Sequence, residues 1–209
     1  IMGAAPYWFS GMIPSWQDAL YESVSGFSCT GSTILDTIED HPPGLLYWRQ
    51  MTQWFGGMGV IVLAVAVLPF IGVGGLDLIS AEAPGPDSDR LAPRVSETAR
   101  RLWRLYGAFT VVLTLVLMVA GADWYEASAH SLATVATGGF STFNDSAGGF
   151  DSVAIELILM VAMILGGVNF NLHYRAIRRG PGIYAKSSET RAYLSMMLVV
   201  GIAVVGLNV

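Results

Sequence analysis

The chain has 209 residues, of which 53% are hydrophobic and 13% are charged, and its formal net charge is −5. A soluble globular domain usually carries about 25% charged residues, so the composition argues against that class of protein. The sequence has a single cysteine, Cys29, which excludes a disulfide within the chain.

Four apolar blocks contain no Asp, Glu, Lys or Arg, namely residues 50–76, 105–122, 157–172 and 192–209. Each block approaches the ~20 residues that an α-helix needs to cross the hydrocarbon core of a membrane. We therefore predict an all-α integral membrane protein in which each block is one membrane span.

The basic residues orient these blocks. All of the 11 Lys and Arg residues except Arg49 fall in segments 77–104 and 175–191. Because Lys and Arg collect in cytoplasmic loops, we expect these two segments inside the cell. The N-terminal stretch and residues 123–151 then lie outside, where their acidic side chains would raise the local concentration of cations.

The first outer region contains a short helix followed by a Gly stretch. Pro6 and Pro14 favour a loop over residues 1–14. Ser15 is a suitable cap for a helix over residues 16–25, which is too short to cross a bilayer. It leads into a segment that we call the first Gly stretch, consisting of Cys29, Thr30, Gly31 and Ser32.

The second outer region repeats this order. A predicted short helix over residues 123–133 leads into the second Gly stretch, consisting of Ala136, Thr137, Gly138 and Gly139. An apolar block with a glycine pair follows each stretch, Gly56-Gly57 in one case and Gly166-Gly167 in the other, and we expect both pairs at close helix contacts. His130, in the second short helix, is expected to pack or to form hydrogen bonds.

The repeated unit is an inward-to-outward helix, an external re-entrant pore loop and an outward-to-inward helix. Residues 1–76 then hold the pore loop and second helix of one unit, and residues 77–104 hold a cytoplasmic loop and a helix start. Residues 105–174 form a complete second unit, and residues 175–209 hold another cytoplasmic loop and the first helix of a third. We expect the chain to be a fragment of a longer protein.

The Gly stretches contain no charged side chain, and their composition suits the binding of a cation. A desolvated alkali ion needs oxygen atoms in place of its water, and backbone carbonyls supply them where glycine permits an unusual conformation. Thr and Ser add hydroxyl oxygens, and the C-terminal end of each short helix favours a cation. We therefore predict that all eight residues of the two stretches bind the ion.

Three other interpretations remain open. Each stretch could be an ordinary Gly/Ser turn. A secondary transporter for an organic solute would need intramembrane charges or aromatic side chains at its broken helices. An intramembrane enzyme would need a nucleophile with a base, or a metal set, and the spans show neither; we predict no catalytic residues and no enzyme activity.

The sequence resembles the TrkH branch of the Trk/Ktr/HKT superfamily of potassium transporters. The resemblance lies in WRQ at 48–50, WFGGMG at 54–59, VLAVAVLP at 62–69, AEAPGP at 81–86, ATVATGGFST at 133–142 and GVNF at 167–170. It implies four helix–pore-loop–helix repeats around a pseudo-fourfold pore in the bacterial cytoplasmic membrane. It also implies a homodimer surrounded by membrane lipids and gated by a cytosolic nucleotide-binding TrkA-type subunit.

The resemblance further implies potassium as the transported ion, with no covalent cofactor. The family's filter glycines carry over to Gly31 and Gly138. Relatives with Ser at the first of these are associated with sodium permeation, so Gly31 favours potassium, whereas Cys29 departs from the usual Thr. A sodium-permeable or sodium/proton-coupled transporter is the alternative. On the inner side, candidate contacts for the cytosolic subunit or anionic lipid are Arg90, Arg94, Arg100 and Arg101.

Overall fold

The structure is a computed structural model that describes residues 2–71 and 88–207, without the side chains of residues 61, 62, 64–71, 88–96, 205 and 207. These residues form nine α-helices, and no strand occurs among them: α1 Ala5–Phe9, α2 Trp16–Phe27, α3 Pro43–Ile71, α4 Ser88–Val119, α5 Trp124–Val135, α6 Val153–Gly166, α7 Phe170–Arg179, α8 Gly182–Lys186 and α9 Ser188–Leu207. Met2–Ala4 and Ser146–Phe150 are 3₁₀-helices. The all-α prediction is confirmed; residues 72–87 and the Arg90 and Arg94 side chains lie outside the described residues.

The N-terminal loop prediction is wrong. Residues 2–9 form a 3₁₀-helix followed by α1, and Pro6 lies in the first turn of α1. Proline is tolerated there because its missing N–H would have no partner within the helix. The side chains of Tyr7 and Ile13 are buried together with Ala19 of α2, so this segment packs onto the first short helix.

Both short helices form where their capping residues predict them. Ser15 Oγ accepts a hydrogen bond from the Asp18 amide at 3.4 Å, and Asp123 accepts one from the Tyr125 amide at 3.1 Å. Each helix has 12 residues, or about 18 Å at 1.5 Å per residue, which is less than the thickness of a hydrocarbon core. α2 continues to Phe27, slightly beyond its predicted end.

The apolar block 157–172, predicted as one span, is divided between two helices. α6 ends at Gly166, and α7 starts after Asn169 with an axis bent by 97° from that of α6. Asn169 caps α7 by accepting from the Asn171 amide at 3.0 Å. A Cβ on Gly167 would lie 2.4 Å from the Tyr193 hydroxyl, so the break allows a close contact with α9.

Among the described residues, Glu97–Val119 is long and apolar enough to cross a membrane. The bent pair α6 and α7 is a second candidate if it is counted as one span. Parts of the predicted blocks 50–76 and 192–209 lie outside the described residues, so these two spans stay predictions.

The chain divides into two compact units, Ile1–Met163 and Ile164–Val209. In the first unit α3 contacts α2, α4 and α5, so one long helix supports both short helices. In the second unit His173 lies 2.8 Å from the Tyr184 hydroxyl through Nδ1 and 2.9 Å from the Leu165 carbonyl through Nε2. Both Gly stretches lie in the first unit.

Candidate functional site

The first Gly stretch begins at the C-terminal end of α2. The amides of Cys29 and Thr30 donate to the carbonyls of Gly26 and Ser25, at 3.0 and 3.1 Å, which is the hydrogen-bond pattern of a Schellman motif. Cys29 has φ = 54° and Gly31 has φ = 75°. A left-handed residue other than glycine costs about 1–2 kcal/mol, so the cysteine holds strained backbone.

The second Gly stretch begins in the same way at the end of α5. The amides of Thr137 and Gly138 donate to the carbonyls of Thr134 and Ala133, both at 2.9 Å. Thr137 has φ = 54° and Gly139 has φ = 87°. A β-branched residue is a rare occupant of this region, so the same strain occurs in both copies.

The hydrogen bonds correct the register of the repeat. Matching the two Thr-Gly pairs by sequence sets Gly31 against Gly138. The backbone instead sets Thr30 against Gly138, and Gly31 against Gly139, the glycine with positive φ in the second stretch. The capping residues Ser15 and Asp123 are separated by the same number of residues as Gly31 and Gly139. The pairing by sequence is therefore wrong by one residue, because the second stretch has two consecutive glycines.

The structure brings the two stretches together. A Cβ on Gly31 would lie 2.3 Å from the Gly138 carbonyl oxygen, so only a glycine allows this approach. Farther along the chain, the Ile38 amide donates to Asn144 Oδ1 at 2.6 Å, and the Asn144 amide donates to Glu39 Oε1 at 2.9 Å. The two outer regions form one assembly rather than separate loops.

A buried ion pair braces the segment after the first Gly stretch. Arg49 Nε donates to Glu22 Oε1 at 2.8 Å, and the two side chains are 1% and 0% exposed. The Glu22 carboxylate also accepts from Thr33 Oγ1 at 2.9 Å and from the Ile34 amide at 3.2 Å. Arg49 Nη1 donates to the Ser141 carbonyl at 3.2 Å. Sequence reasoning missed this role, although Arg49 is the one base of the outer regions.

The second region uses neutral groups at the corresponding place. His130 Nδ1 lies 2.9 Å from the Glu126 carbonyl, which can only accept, so Nε2 accepts from Ser141 Oγ at 2.9 Å. Burial lowers the pKa of His130, which favours the neutral imidazole. Ser141 Oγ in turn accepts from the Phe143 amide at 3.0 Å. The expected hydrogen-bonding role of His130 is confirmed.

Gln53 of α3 contacts both Gly stretches. Its side-chain Oε1 accepts a hydrogen bond from the Phe140 amide at 3.1 Å, and its backbone carbonyl accepts one from the Cys29 thiol at 3.4 Å. A Cβ on Gly138 would lie 2.3 Å from Gln53 Cδ. One turn earlier on the helix, the Arg49 guanidinium lies 4.1 Å from the centre of the Phe140 ring.

The first glycine pair lies where α3 meets the two short helices. A Cβ on Gly56 would lie 2.1 Å from the Phe27 carbonyl oxygen at the end of α2. A Cβ on Gly57 would lie 2.8 Å from the Tyr106 hydroxyl and 3.0 Å from Ala136 Cβ at the end of α5. The prediction of close contacts at Gly56-Gly57 is confirmed.

This arrangement places two helix C-termini and two glycine-containing segments beside each other. Thr30, Ser32, Thr137 and Gly139 are exposed, whereas Ala136 and Gly138 are buried. The C-terminal ends of α2 and α5 carry partial negative charge, which favours a cation at the exposed backbone. The binding of an ion by the eight residues stays a prediction.

The family comparisons match this chain over nearly its whole length. The TrkH family model, described as a cation transport protein, matches residues 2–202. The Trk system potassium uptake protein TrkH of Halomonas elongata is 43% identical over 98% of this chain and 43% of that protein. TrkH of Escherichia coli K12 is 44% identical over 93% of this chain and 41% of that protein.

A solved structure has the same fold. The crystal structure of the potassium transporter TrkH from Vibrio parahaemolyticus matches with a TM-score of 0.77 and 38% identity. The match covers 90% of this chain and 38% of that one. The chain therefore spans 43% or less of the length of these relatives.

Proposed function

This chain belongs to the TrkH family of cation transport proteins, and from that premise we propose that it forms part of a potassium uptake pathway through a membrane. The potassium uptake proteins of Halomonas elongata and Escherichia coli support potassium as the ion. The complete protein contributes further pore loops around a pseudo-fourfold axis and pairs as a homodimer in the bacterial cytoplasmic membrane. A cytosolic TrkA-type subunit with a bound nucleotide gates it.

One observation carries the proposal, namely the contact between two Gly stretches of matching backbone. Gly31 and Gly139 both have positive φ, and Gly31 approaches the Gly138 carbonyl too closely for any side chain. Backbone carbonyls of such glycine-containing segments are the groups that would replace the water of a desolvated cation. Selectivity for potassium over sodium then depends on how the glycines hold those carbonyls.

The test compares Gly31→Ser with Gly139→Ser in the complete protein, reconstituted in liposomes. Both substitutions place a side chain at a position with positive φ. Only the Cβ added at Gly31 would also lie against a neighbouring atom, the Gly138 carbonyl oxygen at 2.3 Å. Strain of about 1–3 kcal/mol corresponds to about 5- to 160-fold in an equilibrium constant, and we expect the loss of discrimination against sodium to lie within that range. We expect a larger loss in Gly31→Ser, measured as competition by sodium for rubidium uptake.

Gly44→Ser is the control, since a Cβ on Gly44 meets nothing within 4 Å. Wild-type selectivity and flux in both stretch variants would contradict an ion-binding role for these residues. A wild-type protein that carried sodium as well as potassium would favour the sodium-permeable alternative.

A further inference from the structure

We propose that Gln53 and Arg49, on the second helix of the first repeat, are positioning residues that aim the ion-facing carbonyl of the second Gly stretch. The inference rests on the proposed function, because it names the groups that set the geometry of the proposed filter. It assigns a role in ion selectivity to two side chains that lie outside both stretches.

The orientation of the Gly139 carbonyl follows from one hydrogen bond. The Phe140 amide donates to Gln53 Oε1 at 3.1 Å. The Gly139 carbonyl belongs to the same planar peptide unit, and in a trans peptide the C=O and N–H bonds point in opposite directions. Because the N–H points towards α3, the carbonyl oxygen points away from α3. Gln53 thus orients the Gly139 carbonyl oxygen through the Phe140 amide, without contacting that oxygen.

Arg49 holds the peptide unit between Ser141 and Thr142. Its Nη1 donates to the Ser141 carbonyl at 3.2 Å, and its guanidinium covers the Phe140 ring at 4.1 Å. The Glu22 carboxylate keeps the guanidinium in place, with both side chains buried. Together, Gln53 and Arg49 restrain the backbone before Phe140 and after Ser141, directly after the last residue of the second Gly stretch.

The end of the first Gly stretch is held differently. The Ser32 carbonyl accepts from Ser25 Oγ of α2 at 2.5 Å, so that restraint comes from its own short helix. The residue of α5 at the position of Ser25 is Ala133, which has no hydroxyl. The bond from Ser25 therefore has no counterpart from Ala133, and in the second region α3 supplies a hydrogen bond to the Phe140 amide instead.

The test is Gln53→Met in the complete protein, with Gln50→Met as the matched control. Both glutamines lie on α3 and are 0% exposed. Neither Gln50 side-chain atom that can form a hydrogen bond has a partner in the part of the chain that the structure describes. Gln53→Met keeps the length of the side chain and removes the acceptor of the Phe140 amide.

We expect Gln53→Met to lower discrimination between potassium and sodium by about fivefold, which corresponds to the net contribution of one hydrogen bond. Gln50→Met should stay within about twofold of wild type. The measurement is sodium competition for rubidium uptake in liposomes, with separate KM and maximal rates. Arg49→Lys, which keeps a charge for Glu22 but loses the forked guanidinium, should shift selectivity in the same direction.

Equal selectivity in Gln53→Met and Gln50→Met would overturn the inference. If Gln53→Met does not fold, Gln53→Asn and Arg49→Lys are measured in its place, and wild-type selectivity in the folded variant overturns it equally. A failure of the proposed function looks different: the wild-type protein shows no potassium selectivity, or the Gly31→Ser and Gly139→Ser variants keep it.

Discussion

The two outer regions have the same backbone and different braces. Glu22 of α2 and His130 of α5 occupy corresponding positions, and each binds the hydroxyl group that follows its Gly stretch, Thr33 and Ser141 respectively. The first brace is a carboxylate paired with Arg49, and the second is an imidazole whose pKa is lowered by burial. The same backbone conformation is therefore stabilised by an ion pair in one region and by an imidazole in the other.

The two repeats also differ in the helix that follows the Gly stretch, because only the first of these helices supplies a base, Arg49. The helix that follows the second Gly stretch, Val153–Gly166, has Glu156 as its one charged residue and no base. Arg49 instead reaches from the first repeat to the Ser141 carbonyl of the second. Changes in α3 should thus affect both regions, whereas changes at His130 should affect the second.

The largest expected effect comes from breaking the charged brace. Arg49→Met leaves the Glu22 carboxylate buried without its partner, which costs about 3–5 kcal/mol of folding stability. The double variant Glu22→Gln with Arg49→Met removes both charges and should lose much less. Thermal unfolding of the purified complete protein measures both, and equal losses would show that burial of an unpaired charge is not the cause.

Substitutions of three α3 glycines compare how tightly each region packs. Gly56→Ala would place a Cβ 2.1 Å from the Phe27 carbonyl of the first region, and Gly57→Ala would place one 3.0 Å from Ala136 Cβ of the second. Overpacking usually costs about 1–3 kcal/mol, and we expect the larger loss at Gly56, where rigid backbone is met.

Gly59→Ala is the control for this series, because a Cβ there meets nothing within 4 Å. Alanine is the better helix former by up to about 1 kcal/mol, so this variant should be as stable as wild type or more stable. The ranking is read from unfolding midpoints in detergent. A loss at Gly59 as large as that at Gly56 would remove the packing explanation.

The smallest effect is the pH dependence of the neutral brace. Burial lowers the pKa of His130 below its ordinary value of about 6.5. As the pH falls below 6.5, the unfolded chain takes up a proton before the folded one, so stability decreases, by at most about 1.4 kcal/mol per pH unit. His130→Gln should flatten this part of the stability curve, measured between pH 7.5 and 5.5; an unchanged curve would contradict it.

Some of this organisation was predictable from local sequence. Ser15 and Asp123 precede short helices because their side chains satisfy amides of the first turn, a local interaction. The break after Gly166 was missed because the apolar composition continues across it, although Asn169 caps the start of a new helix.

The sequence by itself determined the all-α class, the two short helices and the family, because capping, apolar blocks and motif spacing are properties of neighbouring residues. The hydrogen bonds at the two helix ends decided that Gly31 corresponds to Gly139, and only the tertiary structure decided that Arg49 serves both regions. The alignment of the two Gly stretches depends on which backbone amides donate to which carbonyls at the ends of α2 and α5. The reach of Arg49 to Glu22 and Ser141 joins residues far apart in the chain, and such partners are chosen by packing.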